Sequence, residues 1–371
     1  MKSVRNINNL KGKKVLVRVD FNVPMKDGKV LDTFRIEKAI PTIKFLQNKG
    51  AKVILITHLG KGGDSLAPVS KILHKFVAVT FMSEIIGPEV TEMVSKMKNG
   101  QVLLLENLRN DKGEQDEDKV FAMNLAKLAD IYVNEAFPVS HREDASIVLL
   151  PKLLPAYMGL QLEEEVDNLS HAFKKTKHPF LFILGGAKFS TKMPLIEKYL
   201  KVADYVFIGG ALANDFLKAK GYEVGQSLVS DESYGIQKLL KNKKLILPDY
   251  VGVQKGNKVV DKNVKDVAKD DVIIDIGVDC RDTLAPIIKK SKMILWNGPL
   301  GKYESGGSVS TKDILHLVAK SKAESIIGGG DTVALISKLK MEKKFSFVST
   351  GGGATLDFLA NGTLPGIKAL Q

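Results

Sequence analysis

The chain has 371 residues, 44% hydrophobic and 26% charged, with a formal net charge of +13 and one cysteine, Cys280. A single cysteine excludes an internal disulfide, and no Cys/His cluster has zinc spacing. No apolar run approaches the ~18–20 residues of a membrane helix, and "MKSVRNINNLKGKK" has no apolar signal core, so a cytoplasmic protein is expected.

The length predicts two domains. Lysines are dispersed and aromatics are 7% of the chain, so the charge points to small anions ahead of nucleic acid. Only Arg5, Arg18, Arg35, Arg109, Arg142 and Arg281 are arginine among 55 basic residues. Where lysine serves as the generic charge, an arginine marks either a salt bridge or a planar fork for carboxylate or phosphate.

Short apolar runs alternate with amphipathic stretches along the whole chain. In the first half strands are expected at 15–19, 53–57, 79–82, 102–105 and 131–134, with helices at 35–48 and 118–128 among those between them. In the second half strands are expected at 180–184, 205–208, 244–247, 293–296, 325–327 and 345–348. Runs apolar on both faces predict parallel strands covered by helices. The fold class expected is α/β, two Rossmann-like lobes, each a parallel sheet flanked by helices. The expected boundaries are 1–155 for the first lobe, 156–174 for a helical hinge and 175–357 for the second lobe. The tail, 358–371, either packs back on the first lobe or hangs free.

Ligands in open parallel sheets bind beyond the carboxyl ends of the strands. In the first half those ends carry polar side chains, most of them basic: "VDFN" (Asp20, Asn22), "THLGKGG" (His58, Lys61), "ENLRN" (Arg109) and "NEAFPVSHRED" (His141, Arg142). In the second half they carry glycine: "LGGAKFSTK", "IGGALAND", "WNGPLGKYE", "IGGGDT" and "STGGGAT". Glycine at a strand–helix turn lets backbone approach a ligand and leaves helix N–H groups free for an anion. None of these turns is a Walker A loop or a G-x-G-x-x-G opening a domain. Asp331 is either a helix N-cap or a magnesium ligand facing phosphate. Lys188 and Lys192, four apart on one helical face, are either solvated or paired with a phosphoryl group. His58 and His141 are either hydrogen-bonded core residues or site residues. No Ser/His/Asp nucleophile arrangement stands out. A carboxylate or phosphate acceptor is already ionised at pH 7 and needs positioning and charge stabilisation, with no general base. The residues alone describe a phosphotransferase with a basic lobe for a small phosphorylated acid and a glycine-rich lobe for a magnesium nucleotide.

"VLVRVDFNVP", "FRIEKAIPTI", "HLGKGG", "LLLENLR", "SHRED-ASI", "ILGGAKFSTK", "WNGPLGKYE", "IGGGDT" and "STGGGATLDFL" run from end to end of the chain. In this order they resemble phosphoglycerate kinase. The resemblance implies reversible transfer of the acyl phosphate of 1,3-bisphosphoglycerate to ADP, giving 3-phosphoglycerate and ATP. It also implies Mg2+, hinge closure of two lobes, no nucleic-acid or membrane partner, and a monomer. It assigns Asp20, Asn22, Arg35, His58, Lys61, Arg109 and Arg142 to the acid, and Arg35, Lys188, Gly329 and Gly352 to the transferring group. Gly185, Ala187, Lys188, Lys192, Gly209, Gly210, Asn297, Glu304, Gly328, Gly329, Gly330, Asp331 and Thr332 fall to the nucleotide, with Asp331 as the metal ligand. The chain departs from the family at Lys61, where arginine is usual, at Pro138-Val139-Ser140, and at Ala211, where a third glycine is usual. It is also somewhat short for the family. The reading from a different class is a non-catalytic two-lobed binder of phosphorylated metabolites.

Overall fold

The computed structural model describes residues 1–174, 176–187, 189–230, 235–256 and 258–371, with the side chains of Phe173, Lys174, Ser190, Thr191 and Glu304 left out. The chain divides into two compact units, Met1–Asp167 with Thr363–Gln371, and Asn168–Gly362. The division falls inside the helix Leu160–Lys174.

Among the described residues, the first unit is built on a six-stranded parallel sheet. Its order is Thr80–Phe81, Val102–Leu104, Lys52–Ile56, Lys14–Val19, Ile131–Glu135, Ala156–Met158. Val15, Leu16, Val17 and Val19 are all fully buried, so both faces of the central strand are covered. On one face Val15, Val17 and Val19 pack with Ile36, Ile43 and Leu46 of the helix Phe34–Asn48. The helix Lys119–Ala126 starts where Asp118 caps it, the side chain accepting from Phe121 N at 2.6 Å. The tail folds as a short helix, Pro365–Lys368, whose Gly366 N–H donates to the Ser140 carbonyl at 2.8 Å. A Cβ at Gly366 would sit 2.6 Å from Ile147 Cγ2, so that contact needs glycine.

The second unit, again among the described residues, holds a six-stranded parallel sheet. Its order is Leu245–Ile246, Tyr205–Ile208, Phe180–Leu184, Met293–Asn297, Glu324–Gly328, Phe347–Val348. Counted along the chain within this sheet the order is 3-2-1-4-5-6, the doubly wound Rossmann arrangement. The strand order reverses between Phe180–Leu184 and Met293–Asn297. A crevice opens at such a point because the loops on either side turn to opposite faces.

Elements absent from the sequence reading have physical reasons. The strand Ala156–Met158 is three residues between Pro155 and Gly159, too short to show a period. A three-stranded antiparallel sheet joins Tyr250–Lys255, Lys258–Asn263 and Ile273–Ile276. Lys258–Val260 and Asp261 of its edge strand are exposed on both faces, and a register shift between Gly252 and Val253 breaks the pairing. Neither feature leaves the alternation that marks a half-buried strand. No helix among the described residues is long and apolar enough to cross a membrane.

Candidate functional site

In the first unit the sheet order sets four strand ends side by side. They carry, in turn, Arg109, His58, Asp20 and Arg142. Asn107, fully buried, stitches two of the loops together. Its Oδ1 accepts from Leu59 N at 3.0 Å and Arg109 N at 3.1 Å, and its Nδ2 donates to Leu59 O at 2.9 Å. Glycine serves the same purpose at 62, where φ is +115° and a Cβ would lie 2.6 Å from the Arg109 carbonyl oxygen.

Arg35 lies in the first turn of the helix Phe34–Asn48, where the macrodipole disfavours a cation. Asp20 offsets this: its Oδ2 accepts from Arg35 Nη1 at 2.9 Å, and the Asn22 carbonyl accepts from the same nitrogen at 3.1 Å. Asn22 Oδ1 accepts from Gly60 N at 3.0 Å, which binds the "HLGKGG" loop to the first strand end. Arg109 Nη1 donates to the Gly60 carbonyl. Arg109 Nη2 is 4.0 Å from Asp144 Oδ2, and both Arg109 Nε and Nη2 are buried with no hydrogen-bond partner. Arg142 is half-buried, and its guanidinium makes no hydrogen bond or ion pair among the described residues. Lys61 is exposed on the Gly60–Gly63 loop.

His58 is fully buried, and its Nε2 has no partner. Burial first, then the charges of Arg18, Arg109, Arg142 and Arg35, hold its pKa well below the usual histidine value. His58 is therefore a neutral imidazole in a field of cations. Burial, then Arg142, likewise opposes the charge on Arg109. The four guanidiniums of the cluster outnumber the carboxylates of Asp20, Asp144 and Glu114, and His58 Nε2 and Arg109 Nε and Nη2 are buried without a hydrogen-bond partner. Such a concavity is built for an anion.

Sequence reasoning did not place Arg18 in this cluster. It is fully buried, and its Nη2 lies 3.3 Å from His58 Nδ1. An arginine inside "VLVRVDFNVP", one of six in a lysine-rich chain, was the available signal. His141 lies one residue before Arg142, in the turn after the helical turn Phe137–Val139. That turn contains the departure from the family: Pro138 is buried, and Ser140 Oγ donates to the Ala136 carbonyl at 3.0 Å.

In the second unit the sheet order brings the glycine turns together along one edge. Backbone bonds lace them: Gly185 N to Asn297 O at 2.9 Å, Gly186 N to Pro299 O at 2.9 Å, Gly210 N to Leu300 O at 3.0 Å, and Gly298 N to Gly328 O at 3.2 Å. A Cβ at Gly185 would be 2.1 Å from Pro299 O; at Gly209, 2.7 Å from Leu300 Cδ2; at Gly210, 2.7 Å from Gly186 N; at Gly328, 2.9 Å from Asn297 Nδ2; at Gly329, 2.6 Å from Gly298 N. Loop-on-loop packing requires glycine at these positions whatever binds there. Gly330 and Gly352 differ: a Cβ there meets nothing within 4 Å.

Three helices leave this edge from glycine N-caps: Ala211–Ala219 after Gly210, Gly330–Lys338 after Gly329, and Gly353–Asn361 after Gly352. None has a side-chain cap, but the first turns are not equally open: Leu212 N donates to the Gly186 carbonyl at 2.9 Å, Ala213 N to the Gly210 carbonyl at 3.0 Å and Ala354 N to the Gly351 carbonyl at 3.0 Å, whereas the N–H groups of Gly330, Asp331 and Thr332 make no backbone bond among the described residues. The N-cap alternative for Asp331 is closed, because Gly329 occupies that position. Asp331 is exposed in the first turn and makes no hydrogen bond or ion pair among the described residues. Thr332 Oγ1 and Asn297 Nδ2 are buried without a hydrogen-bond partner. Lys192 is buried, with its Nζ 2.9 Å from where a Gly186 Cβ would lie. Lys188 and the Glu304 side chain lie outside the described residues.

Beside this edge is a cavity of about 540 Å³. Gly186, Ala187, Gly210, Ala211 and Asp331 line it, with Leu228, Ile274 and Tyr303, which sequence reasoning did not single out. An apolar slot ending at uncapped helix N-termini and a free carboxylate suits a flat ring joined to a phosphate chain.

The chain matches the family described as "Phosphoglycerate kinase" over residues 4–362. It is 42% identical to the phosphoglycerate kinase of Dictyoglomus turgidum over 382 residues, covering 98% of this chain and 96% of that one. It is 42% identical to that of Thermosipho africanus, covering 99% and 97%. Among solved structures, phosphoglycerate kinase from Pyrococcus horikoshii superposes with a TM-score of 0.93 at 30% identity, covering 100% of this chain and 98% of that one. The Coxiella burnetii enzyme does so with a TM-score of 0.85 at 37% identity, covering 99% and 98%. With two parallel-sheet units, a cationic cluster on one and a glycine edge on the other, the chain belongs to the phosphoglycerate kinase family.

Proposed function

We propose that the chain is a working phosphoglycerate kinase, transferring the acyl phosphate of 1,3-bisphosphoglycerate reversibly to ADP and producing 3-phosphoglycerate and ATP. The observation that carries this is the match between unmet valences and substrates. In the first unit His58 Nε2 and Arg109 Nε and Nη2 are buried without a hydrogen-bond partner. In the second, the helix Gly330–Lys338 opens with first-turn N–H groups that make no backbone bond among the described residues, and its Asp331 carboxylate makes no hydrogen bond or ion pair there.

On this reading Asp20, Asn22, Arg35, His58, Arg109 and Arg142 hold the phosphorylated acid, with Lys61 as a point charge where a fork is usual. Arg35 doubles as a cation on the transferring phosphoryl group: among the described residues only its Nη1 is bonded, and the side chain is partly exposed. Lys188, with N–H groups at Gly329 and Gly352, balances charge on the same group from the nucleotide side, and Lys192 contacts the nucleotide phosphates. The acceptor carboxylate is already ionised, so positioning and electrostatics supply the rate.

Asp331 fits a magnesium nucleotide. It is exposed, free of protein partners and one residue from the open Gly330 edge, and magnesium favours one or two carboxylates with substrate phosphates. Bound there, the ion would neutralise charge on the phosphate oxygens. Gly185, Ala187, Gly209, Gly210, Asn297, Glu304, Gly328 and Thr332 complete the proposed nucleotide set. The acid and nucleotide sets lie on different units, so turnover requires that they be brought together, and hinge closure is part of the proposal. A cytoplasmic monomer acting on metabolites, without nucleic acid or membrane, completes it.

The test is ADP formation from magnesium-ATP in a coupled assay that consumes the acyl phosphate, with and without 3-phosphoglycerate. Strict dependence on 3-phosphoglycerate is expected. Binding of both ligands without turnover would instead make the chain a binder of phosphorylated metabolites.

A further inference from the structure

We propose that Arg18 is a positioning residue that locks His58 in its neutral Nε2–H tautomer, and that Ser146 and Glu114 hold Arg18 in the pose that does so. The functional part rests on the reading of this cluster as the acid site. The tautomer itself is a property of the free chain.

The argument starts from what each group can do. Arg18 and Glu114 are both fully buried, at 0% exposure. The guanidinium only donates, and it stays charged. Its Nε donates to Ser146 Oγ at 2.8 Å, its Nη1 to the Val19 carbonyl at 2.6 Å, and its Nη2 faces His58 Nδ1 at 3.3 Å. A donor facing Nδ1 requires a lone pair there. The single proton of a neutral ring must then sit on Nε2. A ring with a proton on Nδ1 would set N–H against N–H.

One group could reverse this. Asp20 Oδ1 lies 3.9 Å from the same Nδ1 and, as a carboxylate, would favour a proton on it. The distance is beyond hydrogen-bond reach, and Asp20 is already engaged. Its Oδ2 accepts from Arg35, and its Oδ1 accepts from Asn22 N at 3.1 Å. Arg18 therefore decides the tautomer.

Arg18 has its own support. Ser146 Oγ donates to Glu114 Oε1 at 2.6 Å while accepting from Arg18 Nε, and Ser146 N donates to Glu114 Oε2 at 3.0 Å. Arg18 Nη2 is 3.6 Å from Glu114 Oε1. The Tyr132 hydroxyl pins the Ser146 carbonyl at 2.7 Å. All three guanidinium nitrogens thus face a partner held in place by the fold, and this fixes the orientation of the guanidinium. Glu114 supplies the counter-charge without which a buried Arg18 would be costly.

The consequence for chemistry is at Nε2, the nitrogen without a partner. A neutral N–H can hold an acceptor oxygen of the acid in place. An imidazolium there would draw on that oxygen's lone pair and make it a poorer nucleophile. The clamp thus keeps His58 a donor and never an acid.

The experiment is nitrogen NMR of full-length chain labelled in its histidines, without ligand, with His58 assigned by loss of its signals in His58→Asn. A pyridine-type Nδ1 and a pyrrole-type Nε2, unchanged between about pH 5 and 8, are expected. A proton on Nδ1, or titration within that window, overturns the proposal. The double variant Arg18→Met/Glu114→Gln leaves no buried charge unpaired. It should release His58 to a tautomer mixture and lower kcat/KM for 3-phosphoglycerate about 10- to 100-fold, with the nucleotide KM unchanged. Arg18→Lys, which keeps a donor and a charge, should restore part of both. If the double variant loses activity while His58 keeps its tautomer, the clamp is refuted. If wild type shows the tautomer but no 3-phosphoglycerate-dependent turnover, the clamp stands and the proposed function falls.

Discussion

Two glycine-to-alanine changes on the same edge should have opposite effects, and the structure sets their sizes. At Gly330 the added methyl meets nothing within 4 Å, and the backbone is in a region open to any residue. Alanine there restricts the unfolded chain and adds about 0.4–1 kcal/mol of stability. For a unit of this size that raises Tm by roughly 1–4 °C. At Gly185 the methyl would lie 2.1 Å from Pro299 O and 2.7 Å from Pro299 C, both backbone atoms that cannot swing aside. The two loops at the strand-order reversal must separate. That costs roughly 1–3 kcal/mol for overpacking. It also strains the bonds Gly185 N to Asn297 O and Gly186 N to Pro299 O, worth about 1 kcal/mol each. A loss of about 3 kcal/mol lowers Tm by roughly 6–12 °C. Function should divide the other way. If the open edge receives phosphate, a methyl at Gly330 blocks backbone N–H groups that donate to a charged acceptor. Losing one such bond, about 1.5–3 kcal/mol, weakens magnesium-ATP binding roughly 10- to 100-fold. Calorimetric melting and nucleotide titration of both variants would measure this. A Gly330→Ala protein that is as stable as wild type and binds nucleotide equally well would refute the phosphate edge. A Gly185→Ala protein that melts like wild type would refute the packing account.

Arg35→Ala should lower kcat about 10²–10³-fold while leaving the nucleotide KM near wild type, since its part is played at the transferring group; steady-state kinetics with each substrate varied would show it, and unchanged turnover would remove Arg35 from that role. Asp331→Ala should raise the magnesium concentration needed for half-maximal rate without altering 3-phosphoglycerate affinity, and an equal loss of both affinities would point to a damaged unit. Asp271 is buried, and Ala268 N, then Lys255 and Lys262, hold its carboxyl well below the usual range. A folded pKa below the unfolded value near about 3.9 means stability present above that value and lost as pH falls through the folded pKa. Asp271→Asn should therefore cost roughly 2–3 kcal/mol at pH 7, with the gap to wild type narrowing below about pH 4 in urea unfolding curves. A gap independent of pH would show that charge is not what Asp271 contributes.

The sequence by itself determined the class of the fold and most of the chemistry. Parallel strands buried on both faces are apolar over most of their length, so "KVLVRV", "KVILI" and "FLFIL" show themselves as strands without their neighbours. Ligand residues in such folds follow strand ends directly, so "VDFN", "THLG" and "IGGGDT" could be read as site segments from local order alone. Interactions between distant segments could not be read in that way. The 3-2-1-4-5-6 order that sets Gly185 against Pro299 is a matter of strand pairing, and nothing near residue 185 encodes residue 299. For the same reason the packing need for glycine at 185, 209, 210, 328 and 329, which holds whatever binds there, is visible only in the folded loops, and it sets these five apart from Gly330 and Gly352. That Gly329, and not Asp331, holds the N-cap position of its helix is likewise seen only in the folded backbone. Arg18 was marked only as one of six arginines until it was seen buried against His58, because its partners His58 and Ser146 lie 40 and 128 residues away along the chain.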